Sequence, residues 1–126
     1  MNMNNLKFSD DHEWVKIEGN TAYIGISDFA QHALGDIVFV DMPGAGTKTT
    51  AGKAIVSIES VKAVSDVLAP VSGKITKLND ELNDAPELLN QAPYDSWIFT
   101  VEMDDASELD KLMSASEYEE FCKREE

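Results

Sequence analysis

Two apolar stretches near the middle of the chain are almost mirror images of each other about Val61 and Lys62. Strands pair in this way when a two-residue turn joins them, so the pattern predicts a β-hairpin with Lys62 in its turn. The predicted partners are Ser60 with Ala63, Val56 with Val67, and Ala54 with Ala69. Such a hairpin holds one primary amine exposed on every side and anchored by the paired strands behind it.

Lys62 is therefore a candidate for enzymatic acylation, because an enzyme that must modify one lysine among several can recognise this geometry. The alternative is that Lys62 only keeps a loop hydrated, as most turn lysines do. Val61 favours the functional interpretation. A β-branched residue is a poor choice for a tight turn that Asn-Gly would form readily.

The length and composition predict one domain that spans residues 1–126. A chain of 126 residues, 43% of them hydrophobic, can build a modest core but not two separate ones. No apolar run approaches membrane-spanning length, and the first residues lack the basic and apolar segments of a secretory signal. We expect a monomeric cytoplasmic protein, and the alternative for its location is a processed form inside an organelle.

The charge balance excludes some partners. Ten basic residues stand against 24 acidic ones, which gives a net charge of −14. Nucleic acids and anionic membrane surfaces would be repelled, because their binding depends on Lys and Arg. The acidity favours basic surfaces on partner proteins, although solubility alone is an equally good explanation.

The sequence shows no catalytic or metal-binding constellation. Cys122 is the only cysteine, which excludes an intrachain disulfide, and it is predicted to be an inert helix residue. The two histidines, His12 and His32, lie far from it in sequence, so no metal site is predicted. His12 is predicted to be a hydrogen-bonding structural residue. We expect the chain not to be an enzyme.

Strand patterns dominate residues 12–102, and helical patterns follow over 105–124. A short helix is predicted from Asp28 as its cap to Gly35, and Ser107 is predicted to cap the first C-terminal helix. The segment 36–41 is too apolar for an exposed face and is predicted to be a buried strand. The pattern predicts a mainly β fold, a sandwich or flattened barrel of two sheets with short flanking helices and a C-terminal helical segment.

The hairpin and several other motifs resemble one protein family over nearly the whole chain. The run Glu59-Ser60-Val61-Lys62-Ala63, followed by Ser65-Asp66 and Pro70-Val71-Ser72-Gly73, resembles the lipoyl-attachment region of the glycine cleavage system H proteins. Further similar motifs, in the same order as in the family, are His12–Val15, Ile24–Gln31, Leu34–Ile37, Pro93-Tyr94 with Trp97, and Glu117–Cys122.

The resemblance implies a lipoyl-domain-like core of two sheets and lipoate joined by an amide bond to Lys62. It places Glu59, Ser60, Val61 and Ala63 in the attachment hairpin. Biotin carriers have methionine on both sides of the acceptor lysine, whereas Val61 and Ala63 stand there in this chain, so lipoate is favoured over biotin.

The resemblance also implies a function. H proteins carry the aminomethyl group of glycine from a decarboxylase that uses pyridoxal phosphate to an aminomethyltransferase that uses tetrahydrofolate. A dihydrolipoyl dehydrogenase that uses FAD then reoxidises the carrier, and lipoate-attaching enzymes load it in the first place. Two alternatives stay open at this point: a relay that donates lipoyl groups to other enzyme complexes, and an unmodified interaction module.

Two acidic residues, Glu13 and Asp66, are candidates to line a groove that shelters the loaded arm, since an aminomethyl group is a cation when protonated. The alternative for each is an exposed carboxylate without a role. Many family members carry histidine immediately before the Leu-Gly pair, where this chain has Ala33. Here His32 precedes that place by one residue, which turns it about 100° away on a helix.

Overall fold

The computed structural model describes residues 5–125, which form two antiparallel sheets and several short helices. The strands are β1 (Leu6–Phe8), β2 (Glu13–Glu18), β3 (Thr21–Ile26), β4 (Ile37–Asp41), β5 (Lys48–Thr49), β6 (Ala54–Ser60), β7 (Val64–Leu68), β8 (Gly73–Leu78) and β9 (Phe99–Met103). The helices are α1 (Asp28–Leu34), α2 (Glu81–Asp84), α3 (Leu88–Gln91), a 3-10 helix (Ala106–Lys111) and α4 (Ala115–Glu125). The predicted mainly β fold with a C-terminal helical segment is confirmed.

The larger sheet has six strands in the order β1-β2-β3-β9-β8-β5, and the smaller has three in the order β4-β6-β7. Their inner faces pack against each other through alternate apolar residues, as in other sandwiches. This core includes Val15, Ile24, Val40, Ile58, Ile75 and Val101, all buried. In the described part of the chain no helix is long and apolar enough to span a membrane.

A second apolar cluster covers the outer face of the larger sheet. Phe8, Trp14 and Tyr118 are buried in it together, with Phe8 stacked on Tyr118 of α4 at a centroid distance of 4.3 Å. The Trp14 indole donates to the carbonyl of Pro93 at 2.9 Å. Gly25 lies beneath the indole, where a methyl group would come within 2.6 Å of the ring. The strand β1, which carries Phe8, was not predicted from the sequence.

Both predicted helix caps were wrong by one or two residues. Ser27, not Asp28, caps α1: its hydroxyl accepts from the N–H of Ala30 at 3.1 Å, while Asp28 is the first helical residue. Asp105, not Ser107, caps the 3-10 helix and accepts from the N–H of Ser107 at 3.0 Å. In both places two capping residues stand close together in sequence, so composition alone does not choose between them.

The strand β4 is only partly buried, which corrects the prediction for this segment. Ile37 pairs with Ser60 and Phe39 pairs with Glu59, so Val38 is an extra residue in a β-bulge. Val38 and Phe39 are both exposed, and the strand returns to the core only at Val40. A bulge shifts the alternation of side chains by one residue, and a sequence pattern does not reveal that shift.

The central hairpin forms, with one difference in register. Val56 pairs with Val67, as predicted, and the N–H of Ser60 donates to the carbonyl of Ala63 at 2.8 Å. Ala54 pairs with Leu68 instead of Ala69, because the register shifts between Ala54 and Val56. The predicted position of Lys62 in the turn is unaffected, since the shift lies at the far end of the strands.

Candidate functional site

The turn between β6 and β7 is held by the side chain of Ser60. The Ser60 hydroxyl accepts from the N–H of Lys62 at 3.3 Å and from the N–H of Ala63 at 3.1 Å, and it donates to the carbonyl of Ala63 at 3.2 Å. Ser60 is buried, whereas its neighbours in the turn are exposed. The Ser60 hydroxyl thus supplies the hydrogen bonds that hold the turn together. The turn therefore does not depend on residues such as Asn-Gly, and Val61 is tolerated in it.

The tip is also tied to the segment between α1 and β4. The N–H of Val61 donates to the carbonyl of Asp36 at 2.9 Å. The Lys62 side chain lies over Gly35, where an added methyl group would stand 3.4 Å from Cε and 4.0 Å from Nζ. Gly35 has a φ of 78°, a conformation that favours glycine. The lysine therefore rests on bare backbone at the end of α1.

Asn90 of α3 fixes this piece of backbone. Its Oδ1 accepts from the N–H of Ile37 at 2.9 Å, and its Nδ2 donates to the carbonyl of Gly35 and to Gln31 Oε1, each at 2.9 Å. One amide side chain thus joins the end of α1 to the start of β4. It thereby fixes the backbone around Gly35, over which the Lys62 side chain lies. Sequence patterns did not indicate this residue, because its partners lie more than 50 positions away.

A groove of about 190 Å³ lies beside the tip. Its walls come from β2, α1, β6 and β7, and they include Glu13, Leu34 and Asp66. Leu34 directly precedes Gly35, the residue over which the lysine side chain lies. The structure therefore brings the two acidic candidates together beside the tip. The exposed hairpin residues Glu59, Val61 and Ala63 do not line this groove.

The two acidic residues differ in environment. Asp66 is exposed on the edge strand β7, whereas Glu13 is only 2% exposed. Burial, reinforced by a hydrogen bond with Asp11, raises the pKa of Glu13 to about 9. Ser9 Oγ donates to Glu13 Oε1 at 2.6 Å, and the N–H of Leu68 donates to Oε2 at 3.4 Å. Glu13 is thus a protonated carboxyl group at neutral pH, positioned by three neighbours.

Of the two histidines, His12 also lines the groove, whereas His32 does not. His12 Nδ1 is hydrogen-bonded to the Tyr118 hydroxyl at 2.7 Å, and the His12 ring stacks on Phe29 at 4.4 Å, as expected of a structural residue. His32 is exposed, with its Nδ1 3.9 Å from Asp28 Oδ1. His32 lines a separate cavity of about 780 Å³ between α1 and α4, while the groove is lined by Ala33.

The site offers an amine for covalent attachment and not a metal centre. Within residues 5–125, no group of three or more His, Cys, Asp or Glu side chains is placed to hold a metal ion. Cys122 is half-buried in α4 and lines the cavity between α1 and α4. Lys62 can form an amide with a carboxylic acid cofactor, and the adjacent groove can receive the end of a flexible arm.

Comparison with known sequences gives a consistent result. A family profile described as "Glycine cleavage H-protein" matches residues 6–125. A glycine cleavage system H protein from Alkaliphilus oremlandii is 56% identical over 120 residues, which cover 95% of this chain and 94% of that protein. The mitochondrial glycine cleavage system H protein 2 from Arabidopsis thaliana is 48% identical over 125 residues, covering 98% of this chain and 80% of that protein.

Comparison with solved structures agrees. The crystal structure of a glycine cleavage system H protein from Mycobacterium marinum superimposes with a TM-score of 0.87 at 34% sequence identity. The match covers 95% of this chain and 98% of that one. The similarity therefore extends over both sheets and is not confined to the hairpin.

Proposed function

The chain belongs to the glycine cleavage H-protein family, and we propose that Lys62 is the residue of this chain that carries lipoate. Its function is that of the family, a lipoyl carrier in the cleavage of glycine. The observation that supports Lys62 most strongly is its exposure at a tip whose backbone is held by Ser60 and Asp36. A rigid tip leaves the motion to the arm, so that one reactive group can visit several active sites.

The residues around Lys62 fit such a group. When bound, lipoate would supply a dithiolane that alternates between disulfide and dithiol forms and carries the aminomethyl group. The bare backbone of Gly35 leaves the lysine side chain free of obstruction at the end of α1. Leu34, one residue earlier, lines the groove together with Glu13, so the groove lies one residue away from the backbone that supports the lysine.

We propose that Glu13 and Asp66 hold the cationic end of a loaded arm. The buried Glu13 carboxyl keeps its proton in the absence of a cation, because burial raises its pKa to about 9. A cation in the groove would favour ionisation of Glu13, and the hydrogen bond from Ser9 would stabilise the carboxylate. Asp66 adds a second negative charge at the exposed side.

We further propose that the chain acts as a co-substrate and not as an enzyme. Its proposed partners are a glycine decarboxylase with pyridoxal phosphate, an aminomethyltransferase with tetrahydrofolate, a dihydrolipoyl dehydrogenase with FAD, and the enzymes that attach lipoate. Its location in the cytoplasm and its monomeric state remain predictions. The similar A. thaliana protein is named as mitochondrial, so location varies among relatives.

The test is mass spectrometry of the protein made in cells that have lipoate available, followed by peptide mapping. We expect a lipoyl-amide increment on Lys62 and none in Lys62→Arg, which keeps the charge but cannot be acylated. The matched control is Lys53→Arg, at an exposed lysine directly before β6. This variant should carry lipoate on Lys62 as the unsubstituted protein does. In a reconstituted glycine cleavage assay, Lys62→Arg should lose all activity with an unchanged melting temperature.

Two results would contradict the proposal. Full glycine cleavage by Lys62→Arg would exclude Lys62 as the carrier residue. An unmodified Lys62 in the presence of a competent ligase would favour the unmodified interaction module. The lipoyl-relay alternative predicts in addition that deletion of this protein abolishes lipoylation of other enzyme complexes.

A further inference from the structure

The large hydrophobic residues that are exposed in the described part of the chain all lie around Lys62. Val38, Phe39, Val61 and Val64 are between 48% and 69% exposed. We call these four residues the tip patch. Scattered exposed apolar residues need no explanation, but a cluster beside a site of covalent attachment marks an interaction surface.

Strand pairing places two residues of the tip patch, Phe39 and Val64, on one face. Phe39 of β4 pairs with Glu59 of β6, and Glu59 pairs with Val64 of β7. Directly opposed residues point to the same side of a sheet, so this row crosses all three strands of the smaller sheet on its outer face. Val61 lies in the turn that follows β6, two positions after Glu59, and is 69% exposed.

The bulge in β4 enlarges the patch. Regular alternation from the buried Ile37 would turn Phe39 into the core, but the extra residue Val38 turns both Val38 and Phe39 outward. A bulge also protects the edge strand β4 from pairing with other chains. Protection of an edge does not require apolar side chains, and charged ones serve it better. The exposed phenylalanine therefore calls for a binding explanation.

We propose that the tip patch is the docking surface for the enzyme that attaches lipoate to Lys62. This inference rests on the proposed function. Before attachment, the amine reaches only as far as the lysine side chain, so the attaching enzyme must cover the tip itself. After attachment, the reactive group lies at the end of a long arm, so the other enzymes can reach it without covering the tip. The requirement for close contact at the tip is thus strictest for the attaching enzyme.

Charge defines the partner's surface more closely. The next outward row, Asp41–Ser57–Asp66, carries two exposed carboxylates, and Glu59 lies between Phe39 and Val64 of the patch. A partner surface that fits is apolar at its centre with lysine or arginine at its rim. A second copy of this chain is disfavoured, because two copies meeting here would bring these carboxylates and two net charges of −14 together.

The test is the rate of lipoyl transfer to the unmodified protein by a purified lipoate ligase with lipoate and ATP. Phe39→Ser combined with Val64→Ser should lower kcat/KM by about 10-fold to 100-fold, as loss of central interface residues does. Lys77→Ser, at an exposed position of β8 in the other sheet, should leave the rate unchanged. Unfolding midpoints of all variants verify that the fold is retained.

A second measurement separates the attaching enzyme from the enzymes that use the arm. The double variant is lipoylated to completion with excess ligase and is then assayed in aminomethyl transfer. We expect kcat/KM close to that of the unsubstituted protein. An equal loss of kcat/KM in aminomethyl transfer would overturn the assignment to the attaching enzyme. It would show that the enzymes that use the arm also bind the tip patch.

Two further outcomes distinguish failure of this inference from failure of the proposed function. If the ligase acylates the double variant as fast as the unsubstituted protein, the tip patch is not its docking surface, although the proposed function stands. If the ligase does not acylate Lys62 of the unsubstituted protein at all, the proposed function fails and this inference fails with it.

Discussion

The two sheets treat apolar residues on their outer faces in opposite ways. On the larger sheet, Phe8 and Trp14 are buried beneath α4, which stacks Tyr118 on the Phe8 ring. On the smaller sheet, Phe39 and Val64 remain exposed beside the attachment lysine. Both faces carry large apolar residues, so the difference lies in whether a helix covers those residues.

The contrast separates stability from recognition. Covered aromatic residues contribute to the free energy of unfolding through burial and packing. The exposed residues of the tip patch contribute little to it and remain available to a partner. Substitutions on each face test whether this division holds.

The largest effect is expected on the covered face. Phe8→Ala should lower the free energy of unfolding by about 3–5 kcal/mol, since it leaves a cavity under α4. The matched variant Phe39→Ala should lower it by less than about 0.5 kcal/mol, because Phe39 is half exposed. Urea denaturation measures both. Equal losses would show that the tip patch is part of the structural core. They would contradict the division between residues for stability and residues for recognition.

A second test addresses the support of the lysine at the border of the smaller sheet. Asn90→Ala removes three hydrogen bonds and should lower the free energy of unfolding by about 2–3 kcal/mol. Faster hydrogen exchange at the N–H of Ile37 should accompany the loss. Asn90→Asp keeps an acceptor for that N–H and should retain its protection. An unprotected N–H in Asn90→Asp would argue against this hydrogen bond.

The third test concerns the groove between the two regions. Because the pKa of Glu13 is about 9 in the folded protein and near 4.5 when unfolded, the unfolded chain releases this proton at lower pH. The contribution of Glu13 to stability is therefore full below pH 4.5 and is lost as pH rises toward 9.

Glu13→Gln has no ionisable group at this position, so its stability relative to the unsubstituted protein should improve by on the order of 2 kcal/mol between pH 5 and pH 6.5. Denaturation series at several pH values measure the difference. Parallel pH dependence of the two proteins would contradict a raised pKa at Glu13.

The smallest effect is expected where the covered face meets α1. The Tyr118 hydroxyl is hydrogen-bonded to His12 at 2.7 Å and to Ser27, the cap of α1, at 2.6 Å. Tyr118→Phe should lower the free energy of unfolding by about 1 kcal/mol and leave the ring stacking intact. Chemical denaturation checks the size. No change in stability or in exchange of the α1 amides would show that α4 does not support α1.

The sequence predicted what local patterns encode. The mirrored stretches located Lys62 in a turn, and strand patterns indicated a mainly β core over residues 12–102. It did not predict β1, which has only three residues, or the bulge at Val38. The role of Asn90 was also missed, because its partners are distant in the chain and no spacing rule connects them. Long-range hydrogen bonds of this kind appear only once the fold is known.

The hydrogen bond from Val61 to Asp36 makes the acceptor tip a discontinuous epitope. The turn belongs to one segment, but its support and half of its apolar surface come from residues 35–39. A synthetic peptide that copies only residues 57–66 would contain the acceptor lysine without that surface. As a fusion tag for enzymatic labelling, the transferable unit is therefore the folded protein and not the short motif.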